Sequence, residues 1–152
     1  MKIKKGQRMS DSKPEVIIHV AGVHTTMDGG INKALDAKHS EIYENIQLYR
    51  ENRHINIGDC IIQRIDKTYF VTIFPSLYDY DSIIANNVNV FDSFFFTQTL
   101  EHAYEIMKGL GLTMLKIAAP NHFGVKGENK YIVDNAVKSI FRDCDFTFFK
   151  EI

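Results

Sequence analysis

The spacing of apolar positions changes period repeatedly along this chain. Val16–Val20 is an apolar run of strand length, broken only by His19, and it reads as a buried strand. Gly30–Lys38 places Ile31, Ala34 and Leu35 on one helical face. Ser40–Arg50 does the same with Ile42, Ile46 and Tyr49, with Ser40 expected as its cap. After a turn-like Asn56–Asp59, the runs Cys60–Ile65 and Tyr69–Phe74 flank Asp66-Lys67 and predict a hairpin. Pro75–Asn89 has no period; polar, aromatic and asparagine-rich, it is expected to be a long loop. Thr97–Lys108 is the clearest amphipathic helix, with Leu100, Ala103, Tyr104 and Met107 in register and Gly109 and Gly111 ending it. Thr113–Ala118 reads as a strand and Pro120–Gly127 as a loop. Glu128–Phe141 reads as a helix with Ile132, Val133, Ala136, Val137, Ile140 and Phe141 inward, and Phe146–Phe149 as the last strand. No repeat, linker or low-complexity segment interrupts the series, so residues 1–152 are expected to form one domain. Strands alternating with helices predict an α/β fold: a three-layer α/β/α sandwich with a mixed, largely parallel sheet.

Composition narrows the class of partner more than the fold. Hydrophobic residues make up 45% and charged residues 24% of the 152, and the net charge is −1. With no global basic field, duplex DNA or an anionic membrane is a poor main partner, whereas a small anion held by backbone groups is compatible. Cys60 and Cys144 have no metal or redox spacing and read as reduced core thiols, which points to the cytoplasm. The basic start MKIKKGQRMSDSKP lacks the apolar centre of a signal peptide, and no apolar run is long enough to cross a bilayer.

The sharpest local feature is VIIHVAGVHTTMDGGINKAL, from Val16 to Leu35: a strand, a small-residue loop ending in Gly29-Gly30, and a helix start. Paired glycines allow close approach to the backbone, and the first helical N–H groups have no intrahelical partner. Together these make a phosphate or diphosphate site, most simply part of a nucleotide site, although a plain turn has the same signature. The loop 119–127 also follows a strand, and in open α/β sheets both would face one cleft. Asp28 conflicts with this, since as an N-cap it would occupy the N–H groups that should hold phosphate. His24 and His122, one on each loop, are the candidate general bases, because histidine titrates near neutral pH. His19, on the buried strand, reads as a core residue, and Asp79 and Asp81 as a solvated face. No histidine or cysteine spacing suits a metal, and neither metal nor cofactor is expected.

The order of these motifs over essentially the whole chain resembles the macro domain, an ADP-ribose-binding fold. It is most similar to the branch that handles ADP-ribose 1''-phosphate and terminal ADP-ribose, with its "IxHxVN…MGxGIA" pattern. Ile18, His19, Met27, Gly30 and Ile31 keep that register; KGQRM is similar to the end of the family's first strand, GDCIIQRIDKTYFVTIF to its central hairpin, and CDFTFFKEI to its final strand. TLEHAYEIMKGLGLTMLKIAAPNHFGVKGENK is similar to the helix, strand and second ligand loop. The resemblance implies that Gly29, Gly30 and Ile31 line a diphosphate loop and that Phe123, Gly124 and Val125 form a second loop around the distal ribose. It implies that Gln7 stands at the adenine-contacting position in place of an aspartate, with Tyr78, Tyr80 or Phe149 as stacking partner. Gly22 stands where the family has asparagine or serine, and Asp28 where it has the first motif glycine. Phe74-Pro75 follows the hairpin where the glycohydrolase branch has lysine, and Lys126 occupies the second loop where that branch has aspartate; both departures argue against lysine-type glycohydrolase chemistry.

The expected function is therefore binding of ADP-ribose or a related nucleotide diphosphate through two glycine loops. Slow, metal-independent hydrolysis of ADP-ribose 1''-phosphate is the accompanying expectation. The expected ligand-contacting residues are Gln7, Gly22, Asp28, Gly29, Gly30, Ile31, Phe123, Gly124, Val125 and Lys126, with His24 and His122 catalytic. An ADP-ribosylated protein or nucleic acid would be the larger partner. The alternative is a macro-like domain whose pocket has been diverted to another nucleotide or to a protein partner without catalysis.

Overall fold

The computed structural model describes residues 4–81 and 91–151, without the side chains of Ser12 and Glu151. Among the described residues six strands form one sheet in the order β1-β6-β5-β2-β4-β3. They are β1 (Lys4–Arg8), β2 (Val16–Gly22), β3 (Cys60–Ile65), β4 (Thr68–Ser76), β5 (Lys116–Pro120) and β6 (Asp145–Glu151). Among these strands β3 runs antiparallel, paired with β4 through the Asp66-Lys67 turn, and the other neighbours pair in parallel. The helices are α1 (Met9–Ser12), a single turn, then α2 (Gly30–Lys38), α3 (Glu41–Asn52), α4 (Ser93–Gly109) and α5 (Asn129–Ile140).

Strand alternation builds two apolar layers. Val16, Ile18 and Val20 of β2 and Val71 and Ile73 of β4 face α4 and α5, where they meet Leu100, Met107, Val133 and Val137. The opposite faces of the same strands, with Ile17, Ala21, Phe70 and Phe74, meet Leu35, Ile42 and Ile46 of α2 and α3. The result is the expected three-layer sandwich with a largely parallel sheet. Among the described residues no helix is long and apolar enough to cross a membrane.

Several boundaries differ from the sequence expectation, each for a local reason. β5 starts at Lys116 rather than Thr113 because Leu112–Met114 closes a 3₁₀ turn after the left-handed Gly111. α4 starts four residues early because Asp92 caps it, its Oδ1 accepting from Phe95 N–H at 3.0 Å. Ser40 does not cap α3: it sits in helical conformation and makes no side-chain cap bond. β4 runs on to Ser76, past the expected end at Phe74. Of the expected Pro75–Asn89 loop, residues 82–89 lie outside the described residues. The described part, 77–81, packs against Gly22 and the start of α2 through Tyr78, Asp79 and Asp81, and is where the structure departs furthest from expectation.

Candidate functional site

The sheet creates a crevice before any side chain is considered. From β2 the chain crosses to the β3–β4 side of the sheet, and from β5 it leaves for β6 on the other side. β2 and β5 are parallel neighbours, so their carboxyl ends form a topological switch point, where open α/β sheets bind ligands. The two glycine-bearing loops start there. A cleft of about 340 Å³ lies between them, near the lower end of ligand-site volumes. Gly30, Ile31 and Asp81 line one side; Asn121, Gly124, Val125, Lys126 and Lys130 line the other. A larger groove of about 530 Å³ between α4 and α5 is lined by side chains such as Glu101, His102, Glu105 and Ser139, on the helical face rather than at the strand ends.

The first loop is held by its neighbours. Val23 and His24 N–H donate to the Ser76 and Leu77 carbonyls, both at 2.9 Å. The Arg50 guanidinium of α3 donates to the Val23 carbonyl at 2.8 Å and to that of Thr25 at 3.3 Å. Met27 sits in the left-handed region at φ 58°, with its N–H donating to Thr25 Oγ1. The second loop turns through Asn121–Gly124, in which His122 and Phe123 are left-handed at φ 50° and 55° and Gly124 at φ 82°. Left-handed backbone at non-glycine residues concentrates at ligand sites, where the surrounding structure holds it in place.

A carboxylate occupies the helix start. Gly29 is the N-cap of α2 and makes no side-chain cap bond. The Ile31 N–H donates to Asp81 Oδ2 at 3.1 Å. A Cβ placed on Gly29 would lie 2.3 Å from Asp81 Oδ1, one on Gly30 3.3 Å from Oδ2, and one on Gly124 3.8 Å from Oδ2. Three glycines, from both loops, thus surround one carboxylate group. Asp28 is neither the cap nor part of the cleft lining; it is exposed. The capping role expected of Asp28 is corrected on this point: α2 begins two residues later, and the acidic group at its N-terminus arrives from residue 81, far along the chain.

Asp81 is delivered by a buried polar network that the sequence did not reveal. Asp79 is 2% exposed. Its Oδ1 accepts from Gly22 N–H at 2.7 Å and its Oδ2 from Asn32 Nδ2 at 2.9 Å. Asn32 also donates to the Val20 carbonyl, and its Oδ1 pairs with His19 Nδ1 at 3.0 Å. His19 Nε2 pairs with Thr72 Oγ1 at 2.7 Å. Because the Asn32 oxygen accepts, His19 carries its proton on Nδ1 and receives the Thr72 hydroxyl at Nε2. Burial lowers the His19 pKa to about 4, against opposing pulls from Asn32 and Asp79. Asp79 and Asp81 are therefore not the solvated face expected of them. The available signal was Asn32 itself: it stands three residues before Leu35, in the buried register of α2.

The remaining candidates separate into distinct places. Gly29, Gly30, Ile31, Gly124, Val125 and Lys126 come together around the cleft. Gly22 is packed shut, since a Cβ there would lie 2.3 Å from the backbone of Tyr78. The Phe123 side chain is core, packed against Phe96 and Phe148. Gln7 lines a separate cavity of about 60 Å³ with Lys4, Pro14 and Lys116. Of the stacking candidates, Phe149 is buried in the α2–α3 layer, Tyr80 packs on Phe91, and Tyr78 lies beside His24 with ring centroids 5.9 Å apart.

Neither histidine lines the cleft. His24 is exposed on the first loop. His122 is buried, stacked on Phe148 at 5.1 Å, with Nε2 3.0 Å from Asp134 Oδ1. A carboxylate accepts, so Nε2 holds the proton and the lone pair is on Nδ1, which is enclosed with no partner among the described residues. Burial lowers the His122 pKa against the pull of Asp134. A general base must reach the proton it removes, and this enclosed nitrogen does not. Burial also pushes the Cys60 thiol up to about 12 and raises that of Cys144, so neither is activated toward the thiolate.

No family model matches the sequence, and no curated protein matches it. Solved structures match the fold. The macrodomain of Thermus aquaticus DarG superposes with a TM-score of 0.76 over 99% of both chains at 10% identity. A macrodomain protein from Streptomyces coelicolor gives 0.73 at 12% identity, covering 99% of this chain and 100% of that one. Thermosipho africanus DarTG, solved in complex with ADP-ribose, gives 0.66 at 13% identity, covering 95% of this chain and 41% of that one. At such identities the likeness is one of fold, and the chain has the macrodomain fold.

Proposed function

We propose that this macrodomain binds ADP-ribose or a related nucleotide diphosphate in the cleft between the β2–α2 and β5–α5 loops, without catalysis by its loop histidines. One observation supports this above the others. The N-terminus of α2, with glycines of both loops around it, already holds an anionic group, with Ile31 N–H donating to a carboxylate oxygen. Backbone donors and the helix dipole favour negative charge at that point whatever carries it. Lys126 and Lys130 stand on the opposite side of the same cleft and supply charge that a diphosphate needs and a single carboxylate does not use up. The DarTG structure with ADP-ribose, built on the same fold, supports the choice of ligand.

The hydrolase expectation loses its base under this proposal, because His24 and His122 both lie outside the cleft lining. A second reading, a pocket diverted to another ligand, is favoured by Gln7, whose place in a separate cavity removes the expected adenine contact. A ¹⁵N NMR titration with ADP-ribose, ADP and AMP separates the two. ADP-ribose is expected to shift amides of residues 29–31 and 121–126 with a Kd on the order of 10–100 μM, and AMP to bind much more weakly. Unmoved amides in both loops at millimolar ADP-ribose would refute nucleotide binding; equal binding of ADP and ADP-ribose would favour the diverted pocket.

A further inference from the structure

We propose that Asp81 is a built-in competitor for the ligand's phosphate. Its carboxylate fills the anion position of the cleft, and a phosphate-bearing ligand enters only by displacing it. This rests on the binding function proposed above and adds the group that sets its affinity.

The carboxylate sits in a cradle, not on an open surface. It accepts from Ile31 N–H at 3.1 Å, and Cβ atoms on Gly29, Gly30 and Gly124 would each come within 2.3 to 3.8 Å of its oxygens. The two loops also close on each other beside it, since a Cβ on Gly124 would lie 3.2 Å from Ile31 Cδ1. A carboxylate and a phosphate both present oxygens carrying negative charge, so the same N–H group cannot serve both. Two like charges at one helix start also repel each other.

The anchoring of the segment separates this role from a structural one. Asp79, two residues earlier, is fixed by Gly22 N–H and Asn32 Nδ2 and holds the segment against β2 and α2. Asp81 makes its bond to Ile31 from beyond that anchor. Removing the Asp81 carboxylate therefore opens the cradle and leaves the anchor in place. In a two-state scheme, the apparent Kd is the intrinsic Kd divided by the fraction of molecules with the cradle open. The same factor then applies to every ligand that needs the cradle, whatever the rest of the ligand contacts.

The test compares wild type, Asp81→Ala, Asp81→Asn and a distant charge control, Asp143→Asn, in NMR titrations with ADP-ribose and with inorganic pyrophosphate. Asp81→Ala is expected to tighten both ligands by the same factor, tenfold or more. Asp81→Asn, which keeps an acceptor but not the charge, should give a smaller gain in the same direction. Asp143→Asn should change either affinity less than twofold. If ADP-ribose binds wild type and Asp81→Ala equally, the competitor role is overturned while the binding function stands. Weaker binding in Asp81→Ala overturns it too, by making Asp81 a ligand contact. If pyrophosphate gains tenfold but ADP-ribose moves no loop amide in any variant, Asp81 is a competitor and the nucleotide proposal falls. If neither ligand shifts Ile31 or Gly124 in Asp81→Ala, there is no anion position and both fall. Should Asp81→Ala not fold, Asp81→Asn carries the comparison.

Discussion

Asp79 and His19 show how far a single side chain here departs from its ordinary behaviour. Asp79 is a buried carboxylate whose described donors are amides, Gly22 N–H and Asn32 Nδ2. Burying such a group costs several kcal/mol unless its oxygens are hydrogen-bonded, and this network gives each oxygen a donor. His19, at the other end of the network, is held neutral by burial, with a pKa near 4 against an ordinary 6.5. The sign follows directly. As pH falls below 6.5 the unfolded chain takes up a proton at His19, and the folded chain does not until about pH 4. Stability is therefore lost across that window, by about 3 kcal/mol at its lower end. Ring ¹H–¹⁵N signals should show His19 as the Nδ1–H tautomer down to pH 5. A protonation midpoint near 6.5 would show that the network does not hold it neutral.

At the scale of elements, the β2–α2 loop and segment 77–81 are one unit, because the backbone of Tyr78 lies against Gly22 with no room for a Cβ. Gly22→Ala would force that contact apart and lengthen the Gly22–Asp79 hydrogen bond with it. A loss of about 3 kcal/mol or more is expected, in the upper range for overpacking, read as a lowered urea midpoint. The same variant should disturb the Ile31 amide signal, since Asp81 hangs from the displaced segment. A normal midpoint with an unmoved Ile31 signal would break the proposed link between strand end and helix start. Arg50 supports the same loop from α3, bonding the Val23 and Thr25 carbonyls. The sequence pattern marks Arg50 only as the end of an amphipathic helix.

For the whole molecule, the crevice between β2 and β5 is a consequence of topology: chain leaves the two adjacent strands toward opposite edges of the sheet. A ligand there touches loops from both halves of the sandwich and binds the folded state alone. ADP-ribose at about a hundred times its Kd should then stabilise the fold by about 2.7 kcal/mol. For a domain of this size that is a rise in Tm of roughly 5–10 °C. Adenosine, which has no phosphate for the α2 N-terminus, should produce much less. Equal shifts with both would place binding outside the anion cradle.

The layer pattern was legible in the sequence because it is local and repeated. Alternating Val16, Ile18 and Val20 against Ile17 and Ala21 already specify two buried faces, and Leu100, Ala103 and Met107 specify one helical stripe. The sandwich with its largely parallel sheet follows from such periods, and so does the glycine pair at the start of α2. The occupant of the cradle does not. Asp28 and Asp81 are equally polar residues in irregular segments; which one meets the α2 N-terminus depends on where β4 ends and how 77–81 folds back over Gly22. Whether Asp79 is solvated or buried, and whether His122 faces a cleft or Phe148, are likewise decided by contacts between residues far apart in the chain. Periodicity encodes which side of an element is apolar, because burial of apolar surface acts on every turn and every second residue alike. Polar groups act through single directional contacts, so their partners are known only when the elements have come together.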